Sequence, residues 1–213
     1  MKQTFVRAIT LSSLLITTWV CPAQGLLFTD SFQAGQGDWT FLGGAWIEQQ
    51  SGGNFIQYDG NRALNTPSPQ PDWVSGGYRT FSATVGTEYR WSGHVHNSAN
   101  NAVADGVYGL AIIHFLGATG DTPIGSAQTT DLTPAQNAWI DFSISGVAPA
   151  GTERVRFILN TITPNTVNGG GPLYYDLVQA EITGVPEPTA LWALPVILAA
   201  AAGRHVFRRR KTS

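Results

Sequence analysis

The sequence predicts an all-β domain of two packed sheets. Three observations lead there. Between residues 24 and 184 no apolar pattern repeats at helical spacing over a useful length. The same stretch holds short runs rich in aromatic and β-branched residues. Gly, Pro, Asn and Asp interrupt those runs, as turn chemistry requires. Nine or ten strands at that spacing fit a sandwich of two sheets.

Taken in order, residues 26–32 open as a strand. Residues 45–50 and 54–59 flank Ser51-Gly52-Gly53 and are expected to form a hairpin. Asp59-Gly60-Asn61 turns the chain, and 66–71 is a proline-rich loop. Strands over 78–85 and 87–96 follow, joined at Gly86. A polar loop over 97–106 ends in Asp105-Gly106. The stretch 107–116 is so apolar that it is expected to be central, whereas 124–129 is a weaker strand. In 138–145, Ile140, Phe142 and Ile144 face inward, while Trp139, Asp141 and Ser143 face out. In 154–161, Val155, Phe157 and Leu159 face inward, while Arg154, Arg156 and Asn160 face out. Residues 165–172 form a glycine-rich loop, and 173–183 make the closing strand.

Both ends of the chain read as addresses. Residues 1–23 carry Lys2 and Arg7, then an apolar stretch, then Cys21-Pro22-Ala23, the order of a secretory signal peptide. Trp19 and Val20 are too large for Cys21 to be a lipoprotein acceptor. Cys21 is the only cysteine, so the exported domain is held by its core without disulfides. At the other end stand Val185, Pro186, Glu187 and Pro188, an apolar run over 189–207, and a basic tail over 208–213 led by Arg208, Arg209 and Arg210. The most apolar part is about 15 residues, roughly 22 Å of helix. The hydrocarbon core is about 30 Å thick. Insertion as a transmembrane helix needs the flanking residues and snorkelling arginines, with the basic end cytoplasmic. In this order the three parts resemble the PEP-CTERM sorting signal of exopolysaccharide-producing Gram-negative bacteria. The resemblance implies an exosortase-type membrane protease as partner. It also implies transient membrane attachment and release to the cell surface or extracellular matrix. A plain single-span anchor would give the same topology.

The segment between the addresses, 24–184, is one domain in size. It holds five arginines, no lysine and thirteen carboxylates; five less thirteen leaves a formal charge of −8. Such a domain repels phosphate backbones, so no nucleic-acid partner is expected. Abundant Gly, Thr, Ser, Asn and aromatics suit an extracellular domain that meets neutral polymers.

The order of pieces carries a second resemblance. Phe28-Thr29-Asp30-Ser31-Phe32 with Trp39 comes first. Val85-Gly86-Thr87-Glu88-Tyr89-Arg90-Trp91-Ser92-Gly93 follows, then Ala138-Trp139-Ile140-Asp141-Phe142-Ser143, and finally Tyr174-Tyr175-Asp176-Leu177-Val178. Together they resemble the carbohydrate-binding modules with a galactose-binding-like jelly roll. The resemblance implies a two-sheet jelly-roll sandwich and a structural calcium beside the first strand, with Asp176 as a ligand. The matching acidic residue after Phe32 is Gln33 here, so Asp30 would have to substitute. Apart from that calcium no cofactor is expected.

Sugar rings stack their C–H faces on aromatic planes and offer hydroxyls to polar side chains around the rim. Trp73, Arg90, His94, Trp139 and Arg156 are the candidates to line such a face, with exopolysaccharide the expected ligand. Trp91 shares parity with Tyr89 and Val95 and is assigned to the core. His94 and His96 project from one face of a strand and His114 sits on a neighbouring strand candidate, so three imidazoles could form a zinc site; no fourth ligand is specified, and the expected reading is polar residues on the outward face. No Gly-x-Ser-x-Gly elbow and no His-Glu-x-x-His occurs, and no spacing pairs the glutamates. The expected activity is therefore non-catalytic. The alternatives are a structural or adhesion module with protein partners, or a small glycoside-active enzyme.

Overall fold

The computed structural model describes residues 25–184. The signal peptide expected over 1–23 and the sorting segment over 185–213 lie outside the described residues. Eleven strands run through the described chain, and no helix occurs in it. They are β1 (Gly25–Asp30), β2 (Thr40–Leu42), β3 (Trp46–Gln49), β4 (Arg62–Ser68), β5 (Trp73–Ser82) and β6 (Glu88–Asn97). Then come β7 (Tyr108–Leu116), β8 (Pro123–Gln128), β9 (Ala138–Val147), β10 (Arg154–Thr163) and β11 (Gly170–Gly184). A six-stranded sheet runs β3-β4-β11-β6-β9 with β1 also on β11, and a five-stranded sheet runs β2-β5-β10-β7-β8. All strand pairs are antiparallel. The all-β sandwich read from the sequence is the architecture found.

β11 is the spine of the six-stranded sheet. One of its edges pairs with β6. The other edge is divided: β4 pairs with it from Gly170 to Tyr175, and β1 from Val178 to Ile182. At the handover Leu177 has φ 41 and the β6 register shifts. That bulge re-aims the strand where one partner gives way to the next. The last β1–β11 pair is Gly25 opposite Ile182, so the two ends of the described chain leave side by side.

The core lies between the sheets and is aromatic. Phe28 stacks on Phe81 with centroids 5.2 Å apart and meets Trp91 at 5.6 Å and Trp39 at 6.0 Å. Each such pair adds about 0.5–1.5 kcal/mol beyond its burial. The parity assignments hold. Phe142, Val155, Phe157, Leu159 and Trp91 are buried in this cluster. Trp91 donates its indole N–H across to the Ile158 carbonyl at 3.2 Å, and the Thr66 and Thr161 hydroxyls meet at 2.6 Å. These cross-sheet bonds satisfy polar groups that burial would otherwise strand.

Some element assignments differ. The hairpin expected between 45–50 and 54–59 does not form; β3 pairs with β4 instead. The apolar signal of 54–59 is real, but Phe55 spends it by packing on Tyr174 from outside the sheet, with centroids 4.7 Å apart. The proline-rich loop expected from 66 belongs partly to β4. Pro67 is tolerated because β3 reaches only to Asn65, leaving that edge without a partner strand. β5 starts at Trp73, well before 78. Its Gly76 is in a strand where a side chain has no room: a Cβ there would stand 2.0 Å from the Leu159 carbonyl oxygen.

Candidate functional site

The outward face of the six-stranded sheet is built from rows of cross-strand neighbours. Trp46, Asn65, Tyr174, His96 and Trp139 form one row, from β3 across to β9. The next row brings Asp176, His94 and Asp141 together. Beyond it Ser92 faces Ser143, with Gln179 on its other side, and Arg90 follows with Glu181. Alternation along β6 and β9 puts all these side chains on one side.

Residues 50–61 fold over half of this face as a strap. Phe55 is buried on Tyr174, and Tyr58 stacks on His94 with centroids 3.7 Å apart. Tyr58 also meets Trp139 edge-on at 5.3 Å. Trp139 donates its indole N–H to the Ile56 carbonyl at 3.0 Å, and Asp59 N–H donates to Asp176 Oδ2 at 3.0 Å. Glu48 accepts hydrogen bonds from Asn54 and Asn65 at the base of the strap. The strap leaves Tyr58 44% exposed, and Trp46, at the far end of the row on β3, is 45% exposed.

The other half of the face is open. A groove of about 440 Å³ runs between β6, β9 and the β11 bulge, lined among others by Arg90, Ser92, His94, Asp141, Ser143 and Gln179. Its polar groups are held in place. His94 Nδ1 and Asp141 Oδ1 are 2.7 Å apart, and Arg90 Nε donates to Ser143 Oγ at 3.0 Å. Arg90 also borders a second hollow with Glu181. The groove can offer hydrogen-bond donors and acceptors to a polar ligand, with the aromatic planes of Tyr58 and Trp139 at one end.

Three of the five predicted face residues meet here: Arg90, His94 and Trp139. The other two do not. Trp73 starts β5 in the opposite sheet, and its indole N–H donates to the Gly43 carbonyl at 3.1 Å. Arg156 is on the outward face of that sheet, held by Asp121 at 2.6 Å, by Thr80, and over the Tyr78 ring at 4.3 Å. Strand parity predicts which residues face out, not on which sheet. Tyr58 and Asp141 were missed as site residues: Tyr58 looked like a hairpin strand, and the Asp141–His94 pair needs the β6–β9 register. The histidine cluster does not form. His114 is on β7 in the five-stranded sheet, and no metal-ligand group of three occurs among the described residues.

His96 shares the face but is 0% exposed, under Trp139 at 4.9 Å. Neither ring nitrogen has a hydrogen-bond partner among the described residues. Burial lowers its pKa to about 4. Asp176 is 1% exposed, and burial raises its carboxyl to about 7 against two backbone N–H bonds, from Asp59 and Leu177. Burial, and then the Glu48 carboxylate, raise the Tyr174 phenol. Asp30 stands at the end of β1. Its carboxylate accepts Phe32 N–H at 2.7 Å and Trp39 Nε1–H at 2.8 Å, with Arg79 at 3.8 Å.

No protein-family model matches the chain, and no curated protein matches it. Solved structures do. The CBM22-1 xylan-binding domain from Paenibacillus barcinonensis matches with TM-score 0.54 and 18% identity, over 77% of this chain and 98% of its own. The C-terminal family 22 carbohydrate binding module of Clostridium thermocellum matches with TM-score 0.52 and 16% identity, over 76% and 97%. The enzymatically active domain of bacteriophage CBA120 tailspike protein 4 matches with TM-score 0.48 and 16% identity, over 68% of this chain but only 19% of its own. At these identities the likeness to the carbohydrate-binding modules is one of fold, and it is a jelly-roll sandwich.

Proposed function

We propose that this chain is a non-catalytic, polysaccharide-associated module. It is exported, sorted by an exosortase-type membrane protease and delivered to the cell surface or extracellular matrix of a Gram-negative bacterium. The observation that carries the binding half is the outward face of the six-stranded sheet. There Tyr58 and Trp139 stand at one end of a groove with fixed polar groups. Aromatic planes beside hydrogen-bonding side chains are what a pyranose chain requires. Two of the folds it resembles are described as a xylan-binding domain and a carbohydrate binding module, which agrees with this reading.

The non-catalytic half rests on chemistry. Glycoside hydrolysis needs two carboxyl groups flanking the bond. Asp141 is the one carboxylate lining the groove, and His94 engages it. The export half rests on residues 1–23 and 185–213.

The purified full chain, run on a glycan array and against exopolysaccharide of a producing strain, tests the binding. Tyr58→Ala should weaken retention about tenfold, a loss of about 1.4 kcal/mol. Retention by neither surface would favour an adhesion module with protein partners and end the polysaccharide reading.

A further inference from the structure

Three backbone carbonyls converge where β1 ends and β4 begins. The oxygens of Ser31, Asp59 and Arg62 lie 2.7, 2.9 and 3.2 Å from a single atom, Gln33 Nε2. Gln33 Oε1 accepts the Asn61 N–H at 3.0 Å. The Arg62 guanidinium donates to the Gln33 carbonyl at 3.0 Å. Gly60, with φ 72, forms the floor, and a Cβ there would stand 2.3 Å from Gln33 Cδ. The amide is thus gripped on every side that these residues present.

Inward-turned oxygens at one point are what a calcium ion asks for, and it wants six to eight, several of them carboxylate. The carboxylates expected to supply charge are otherwise engaged. Asp30 is taken up by Phe32 N–H, the Trp39 indole and Arg79. Asp176 accepts from the N–H groups of Asp59 and Leu177. What faces the three carbonyls is a neutral NH₂ with two hydrogens, which fits the two shorter contacts and shares with the third. The Arg62 guanidinium beside it would repel a dication.

The geometry points to a seam closed without metal: the Gln33 carboxamide holds the place a cation would take and ties the end of β1 to the turn before β4. Hydrogen bonds alone complete the divided edge of β11, whatever the groove binds. Exchanging the amide for a carboxylate would turn the donor into an acceptor, so that oxygens face oxygens and a cation is required.

Thermal unfolding of the full chain in EDTA and in excess calcium chloride tests this. The unchanged protein should melt at the same temperature in both; a lower midpoint in EDTA would overturn the proposal. Gln33→Glu should melt lower in EDTA by roughly 5 °C and recover in calcium; a melting point indifferent to calcium would overturn the cation analogy. Should that variant fail to fold, Gln33→Met fills a similar volume without donors. It should be destabilised equally in both buffers, and a rise with calcium would count against the proposal.

Discussion

His96 and Asp176 pull stability in opposite directions as pH changes. The folded state holds His96 neutral down to about pH 4, whereas an unfolded histidine takes its proton near about 6.5. Its contribution is therefore present above about 6.5 and lost as pH falls through 4. Asp176 is the reverse: raised to about 7 in the fold, it favours the folded state below about 4 and loses that contribution as pH rises through 7. Between these limits the two effects offset. Replacing His96 by phenylalanine removes one of them and also removes two nitrogens that lack partners. In denaturant titrations the variant's advantage should be constant above pH 7 and grow by at most about 3 kcal/mol on going down to pH 4. An advantage independent of pH would mean His96 already takes up a proton in the fold. At this scale the sequence was informative about direction only. Alternation placed Trp91, Phe142 and Phe157 inside and His94, Trp139 and Arg156 outside. That His96 is outward yet fully covered, between Trp139 and Tyr174, depends on which strands become neighbours, and no local pattern encodes that.

The strap is the element that makes the face a site, because it carries Tyr58 to the groove and packs on Tyr174 and Trp139, the two rings that flank His96. Its one buried ring is Phe55, on Tyr174; the half-exposed Tyr58 on His94 and hydrogen bonds complete the attachment. Phe55→Ala should cost about 3 kcal/mol locally, the lower end for a phenylalanine at the edge of a core. Amide hydrogen exchange in 50–61 should then quicken while β6 and β11 stay protected. Equal loss of protection in β6 would mean the strap is part of the global folding unit. β5 offers a contrasting case. Gly76→Ala drives a methyl against the β10 backbone, so the whole sandwich should be destabilised by about 3 kcal/mol or more in urea titrations. Strands with steady alternation, such as β6, β9 and β10, were legible. β2 is three residues long and escaped notice, and glycines chosen for lack of space masked the start of β5.

For the whole molecule, pairing is dominated by partners far apart in sequence: β1 with β11, β4 with β11, β5 with β10. Folding should accordingly be slow for its size, in the range of milliseconds to seconds. β11 is the last strand to be made and the one on which three others depend. A chain ending at Leu177 leaves β1 without a partner and removes Val178 and Ala180 from the core. It should show no cooperative thermal transition by circular dichroism, whereas a native-like transition would show that β1 is dispensable. The sequence disclosed the sandwich because that depends on strand count and turn spacing. It did not disclose which outward residues share a sheet, since Arg90 and Arg156 satisfy the same local rule on opposite sides. The adjacency of Gly25 and Ile182 has a mechanical consequence. Drawn apart by its two ends, the domain would open like a zip, β1 peeling from β11 one rung at a time, and it should yield at low force. Suspended from either end alone it bears no such load, so the seam is safe as long as tension enters from one side.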